Sequence, residues 1–106
     1  MKTSYLTDLT CSDCGRSFSI NEVHTFCPDC QSTLISNYDL NAARSHVDRD
    51  EIHARSKGMW RWHEMLPVQD PENIVTLGEG DTPLLHLPRV GNELGLSNFF
   101  VKDESS

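Results

Sequence analysis

Four cysteines carry the most specific chemistry in this chain. They stand as two Cys-x-x-Cys pairs, Cys11/Cys14 and Cys27/Cys30, with twelve residues between the pairs. This spacing lets each pair turn two sulfurs inward on a tight loop, and two such loops supply four soft donors at tetrahedral positions. Zinc favours that set, because thiolate binds it strongly and the ion has no d-electron geometry to oppose. Gly15 follows the first pair, where a positive φ is easiest to adopt, and Pro28 stiffens the second. The expectation is a closed structural zinc site held by Cys11, Cys14, Cys27 and Cys30, with no open position and no reaction at the metal. His24 lies between the pairs and is not needed as a ligand.

Three other uses of the cysteines compete. Two disulfides would suit an oxidising compartment, but Met1-Lys-Thr-Ser-Tyr5 shows no apolar signal segment. A redox pair needs a helix opening from the motif, whereas Arg16-Ser-Phe-Ser-Ile20 has the look of a strand. The thiols could also be reduced and metal-free. The doubled pair favours zinc over all three.

The elements that must hold these residues are short. Tyr5 to Thr10, Arg16 to Ile20 and Ser32 to Tyr38 read as three strands around two metal-binding turns, a zinc ribbon. Such a module is too small to fold on apolar burial alone, so the metal supplies much of its stability. Asn41 to Lys57 is polar and charged. Asp48 or Asp50 can cap a helix through Glu51 to Lys57, with Gly58 as its stop. Met59-Trp-Arg-Trp-His-Glu-Met-Leu-Pro67 reads as a short helix whose Met59, Trp60, Met65 and Leu66 pack to one side. Asp70-Pro71 starts a single helical turn. Ile74 to Leu77 and Leu84 to Leu87 read as strands on either side of the bend Gly78-Glu-Gly-Asp-Thr-Pro83. Pro88 to Gly95 is a brief helix. Asn98 to Glu104 reads as a strand buried on both faces.

The chain has 106 residues, 37% of them hydrophobic, and a net charge of −7 with histidines neutral. That length allows one domain, or a small module and part of another. No run approaches the ~20 apolar residues of a membrane span. The acidic balance opposes a phosphate backbone. The sequence therefore points away from nucleic acid and membrane, and reduced cysteines point to the cytoplasm.

Several segments together resemble threonine synthase. They are Gly58-Met-Trp-Arg-Trp62, Met65-Leu-Pro67, the bend Leu77-Gly-Glu-Gly-Asp-Thr-Pro-Leu84 and Val101-Lys-Asp-Glu-Ser105. The doubled Cys-x-x-Cys followed by Tyr38-Asp-Leu40 is similar to the zinc-ribbon extension of some of these enzymes. The resemblance implies an α/β fold class: a small β-rich zinc ribbon (1–40), a helical connector (41–66) and the incomplete start of a tryptophan synthase β-like, fold type II pyridoxal-phosphate domain (67–106). It implies an enzyme that converts O-phosphohomoserine and water to threonine and phosphate, with a small amino-acid substrate and pyridoxal phosphate as cofactor.

The family's Schiff-base lysine lies in a Gly-Ser-Phe-Lys segment after the Lys-x-Glu strand. No such segment occurs before Ser106. The only lysines are Lys2, Lys57 and Lys102, and Lys102 does not match that position. The chain thus reads as an amino-terminal fragment, inactive alone, with no catalytic and no cofactor-binding residue assigned. The bend and Lys102 border the active site by resemblance, while Glu79, Asp81 and Glu104 read as solvated acids. Two other functions stay open: a cysteate synthase-like or other amino-acid lyase on the same scaffold, and a free-standing zinc-ribbon binding module.

Overall fold

The computed structural model describes residues 2–105. Met1 and Ser106, the outermost residues of the first and third expected ranges, lie outside the described residues.

Three antiparallel strands come first: β1 (Leu6–Cys11), β2 (Ser17–Phe18) and β3 (Leu34–Tyr38), in the order β2-β1-β3. The register pairs Leu9 with Phe18, and Cys11 with Leu34. A bulge between Leu6 and Asp8 interrupts the β1–β3 ladder. Next to it the Asn37 amide donates to Asp8 at 2.9 Å and to Thr10 at 3.2 Å, occupying polar groups at the irregularity. Strands β2 and β3 fall inside the stretches read as strands, β1 runs one residue past its stretch to Cys11, and β2 is much shorter than expected. Its continuation is drawn into the loop, where Asn21 N–H donates to the Ser19 hydroxyl.

Two helices follow where one was expected. Asp39 caps α1 (Leu40–His46) by accepting from Ala42 N–H at 3.0 Å, and Asp48 caps α2 (Arg49–Ala54) by accepting from Asp50 and Glu51 N–H. The second helix ends before Arg55 rather than at Gly58. Arg55 turns extended, and its guanidinium reaches Glu64 instead of continuing the helix.

Met59–Met65 is a run of tight 3-10 turns, kinked at Trp62, that ends at Leu66. Of the apolar side expected for this segment, Met59, Trp60 and Leu66 are half-buried and Met65 is exposed, so none of it is the fully buried position. Glu64 is buried, at 3% exposure, whereas Met65 and Trp62 are half open to solvent. The run of large side chains concealed the one carboxylate whose ion pair allows it to go inside. Pro71–Asn73 makes the expected turn, capped by Asp70.

No strand forms at 74–77. Val75 and Leu77 are 78% and 97% exposed, with no neighbouring strand to pair, and Leu77 N–H is taken by the Glu79 carboxylate. Strands β4 (Leu84–His86) and β5 (Phe100–Lys102) pair antiparallel, with α3 (Pro88–Glu93) between them. Strand β5 is not buried on both faces, as its three bulky residues suggested. Its residues are all exposed, since the sheet has two strands and nothing lies across it. Among the described residues the buried apolar core is small: Tyr5, Leu6, Cys11, Cys27 and Ala43.

Candidate metal centre

Strand β1 ends at Cys11, and the chain reverses immediately. Gly15 N–H donates to the Cys11 carbonyl at 3.1 Å, and Cys11 N–H donates to the Arg16 carbonyl at 2.8 Å. The second loop repeats this closure. Gln31 N–H donates to the Cys27 carbonyl at 2.7 Å, and Cys27 N–H to the Ser32 carbonyl at 3.0 Å. Both loops need a left-handed residue four places after the first cysteine. Gly15 supplies φ +76° in one, and Gln31 takes φ +58° in the other. Sequence reasoning identified the glycine. It missed Gln31, because nothing in a glutamine announces that conformation. Ser12 N–H donates to the Thr33 carbonyl at 3.0 Å and joins the two loops.

The four sulfurs are brought together. One sulfur from each of Cys11, Cys14, Cys27 and Cys30 lies within 4.8 Å of the others. Cys14 and Cys27 sulfurs are 3.8 Å apart. That is far beyond the ~2.05 Å of a disulfide, and all four thiols are free. It matches the ~3.8 Å edge of a sulfur tetrahedron around an ion with bonds of ~2.3 Å. The donor set therefore fits a metal ion, and a soft one. Cys27 is fully buried and Cys11 nearly so, while Cys14 is exposed.

Electrostatics point the same way. The amides of Cys14 and Asp13 donate to the Cys11 sulfur, each at 3.4 Å, and lower its pKa to about 7. Hydrogen bonding with Cys14, burial and the negative charge at Cys14 push Cys30 up to about 12. Four thiols so close cannot all ionise without a cation to offset them. His24 is not among the donors. Its Nε2 lies 2.7 Å from the Ser19 carbonyl, and its ring meets Phe18 edge-on.

A second constellation lies at the base of the ribbon. Arg55 makes a forked ion pair with Glu64, at 2.9 and 2.6 Å. This pairing lowers the Glu64 pKa and raises that of Arg55. Glu64 also brings its backbone to the ribbon, since Tyr5 N–H donates to the Glu64 carbonyl at 2.9 Å. Ser4 Oγ donates to the Leu66 carbonyl at 2.5 Å, and His63 Nδ1 lies 2.6 Å from the Thr3 carbonyl.

The glycine-rich bend forms the third. An open cleft of about 530 Å³ separates Arg55–Arg61 from the chain between Ile74 and Asp81. Glu79 lines it and, though partly open to solvent, is held by several donors. It accepts from Trp60 Nε1 at 2.9 Å, from Thr76 Oγ1 at 2.9 Å and from Leu77 N–H at 2.6 Å. Glu104 accepts from the Thr82 hydroxyl at 2.6 Å, and the Lys102 ammonium donates to the Thr82 carbonyl. Both acids are thus tied to the bend, through contacts that a linear reading of Gly-Glu-Gly-Asp-Thr-Pro does not disclose.

By its fold and site, this is a small α/β chain with a β-rich region, a four-cysteine cluster able to hold a metal ion, and a braced glycine bend. No family model and no solved structure matches it. Curated proteins do, two threonine synthases among them. The chain is 34% identical to the threonine synthase of Methanocaldococcus jannaschii over 96 residues, and 30% identical to that of Methanosarcina acetivorans over the same length. Each match covers 91% of this chain but only 24% and 23% of the respective relative. The chain therefore spans about a quarter of the length of the threonine synthases it matches.

Proposed function

We propose that the chain is the amino-terminal part of a threonine synthase-like enzyme, and that its cysteine cluster holds a structural zinc ion. The supporting observation is one-third identity to a threonine synthase across nearly the whole chain. The zinc reading rests on the sulfur geometry: four thiols with the spacing of a tetrahedral site, enough to fill its four positions. In this reading 1–40 is the ribbon, 41–66 the connector and 67–106 the start of the fold type II domain.

The whole enzyme would convert O-phosphohomoserine and water to threonine and phosphate in the cytoplasm, acting on a small amino-acid substrate and on neither nucleic acid nor membrane. Among the described residues no helix is long and apolar enough to cross a membrane. Pyridoxal phosphate would supply an electron sink for carbanions in that reaction. The residues here do not fit it. Lys57 is on the cleft wall, Lys102 is tied to a backbone carbonyl, and Lys2 lies at the start of the chain. No chemical step is assigned to them, and the 106 residues alone are inactive in this reading.

The test uses the gene's continuous reading frame, expressed with whatever follows codon 106. Phosphate and threonine should appear from O-phosphohomoserine, and metal analysis should return one zinc per chain. Turnover of another amino-acid substrate in place of this one would favour a cysteate synthase-like lyase. A frame that stops at codon 106 would favour a free-standing zinc-ribbon module.

A further inference from the structure

We propose that Glu79 is a positioning residue, which fixes the bend Gly78–Thr82 onto the segment Met59–Met65 and thereby sets the mouth of the cleft between them. Its importance beside an active site rests on the threonine synthase reading; the staple itself does not.

Three observations carry it. The first is the number and placement of donors on one carboxylate. Thr76 and Leu77 donate to Oε2 from within the bend's own approach, and Trp60 donates to Oε1 from across the cleft, nineteen residues away in sequence. One oxygen thus shapes the loop and the other attaches it. The second is that the backbone repeats the attachment, with Met59 N–H donating to the Glu79 carbonyl at 3.2 Å. The third is the close approach at Gly80. A Cβ built there would lie 2.6 Å from the Met59 nitrogen, so the two chains touch backbone to backbone.

The chemistry suits holding rather than proton transfer. The amides of Glu79 itself and of Leu77, then the Thr76 hydroxyl and the Trp60 indole, keep the Glu79 carboxyl at about 2. A group held there is an anion throughout the neutral range, and it accepts hydrogen bonds without exchanging protons with a substrate. The segment it grips is anchored at its other end, through Glu64 and Leu66, to the first residues of the ribbon. The bend is therefore positioned from the metal centre's side of the molecule.

The experiment is hydrogen exchange by NMR on the ¹⁵N-labelled, zinc-loaded 106-residue chain. The half-exposed Trp62 indole serves as an internal reference. In the wild type the Trp60 indole N–H should exchange at least about tenfold more slowly than that of Trp62. Glu79→Ala should accelerate Trp60 Nε1–H and Leu77 N–H by about tenfold or more, with zinc content and the β1–β3 amides unchanged. Glu79→Gln, which keeps the shape but has one acceptor oxygen, should restore protection at one of the two sites. If Glu79→Ala fails to fold, Trp60→Phe isolates the cross-cleft bond, and the Met59 amide should then exchange about tenfold faster. Unchanged exchange at Trp60 and Leu77 in Glu79→Ala, or at Met59 in Trp60→Phe, would overturn the staple.

In the longer enzyme Glu79→Gln should lower kcat while keeping both limbs of its pH profile. Loss of a limb would make Glu79 an acid or base and overturn the positioning role. Absence of threonine synthase turnover in the wild-type enzyme would count against the functional reading alone, since the exchange data do not depend on it.

Discussion

Individual residues divide sharply by how much of their role can be read from their letter. The four cysteines declare themselves, because two Cys-x-x-Cys pairs have few other uses and the fold only has to bring them together. Glu64 does not. In sequence it is a charged interruption in a run of tryptophans and methionines, and only the distant Arg55 makes its burial tolerable. Replacing Glu64 by Gln should destabilise the folded chain by about 3 kcal/mol in urea unfolding at neutral pH, the low end for breaking a buried pair because Arg55 keeps some access to water. The pH dependence has a definite sign. Folding lowers the Glu64 pKa, so its contribution is complete above the ordinary carboxylate value of ~4.3 and fades as pH falls through the lower folded value. The gap between wild type and Glu64→Gln should therefore narrow on acidification below ~4.3; a gap that stays constant down to pH ~2 would contradict the ion pair.

Gly80 is a second such residue. Its φ of +87° and its contact with Met59 leave no space for a methyl group, so Gly80→Ala should cost about 2–3 kcal/mol. Gly15 has a similar φ of +76° but nothing within 4 Å, and Gly15→Ala should cost only about 1–2 kcal/mol of backbone strain. Equal losses in thermal unfolding would show that the Met59 contact is not tight. The sequence announced both glycines as turn residues, yet only the fold separates strain from collision.

At the scale of elements, those with a local cause were legible. The caps Asp48 and Asp70 each use a side chain two or three residues from the amide it serves, whereas Asp39, which caps α1 just as locally, was not read as a cap. The strands of the ribbon follow from the turns that the cysteines impose. The failures at 74–77 and at β5 need a partner remote in sequence. Residues 74–77 have a strand's composition and no strand to join, and β5 has a buried strand's composition without a covering layer. The connection between ribbon and connector was also invisible. A ribbon that unfolds alone on metal removal, with the remainder less affected, is the simple expectation from composition. The hydrogen bonds from Ser4 and Tyr5 to Leu66 and Glu64 make a different outcome specific. Stripping the metal with a chelator at neutral pH should expose the β1–β3 amides and, with them, the amides of Met59–Leu66, including the Trp60 indole. The amides of β4 and β5, which share no sheet with the ribbon, should change less than about threefold. Ribbon exchange that rises while the Met59–Leu66 segment stays protected would show that the base of the ribbon transmits nothing.

The whole molecule is more extended than its length requires. Its radius of gyration is 18.3 Å, against roughly 13 Å for a compact chain of this size. The surplus lies in what is left uncovered. Leu84, Leu85, Val90, Leu94, Leu96, Phe100 and Val101 are all exposed, and they come from one short unit of two strands and a helix. A two-stranded sheet with open edges is marginal by itself and offers both edges for pairing. By itself, the 106-residue chain should associate with copies of itself at micromolar to millimolar concentrations. The net charge of −7 opposes this contact through mutual repulsion. Added salt should therefore strengthen association by screening that repulsion, the reverse of what an ionic contact would show. Sedimentation of the zinc-loaded chain from low to about 0.5 M salt should show a rising weight-average mass. Replacing Leu85 and Val101 by Lys should weaken association at least about tenfold at fixed salt while leaving zinc content intact. A chain that stays monomeric throughout, or a double variant that associates as strongly as the wild type, would mean that the exposed apolar unit is not the surface that seeks a cover.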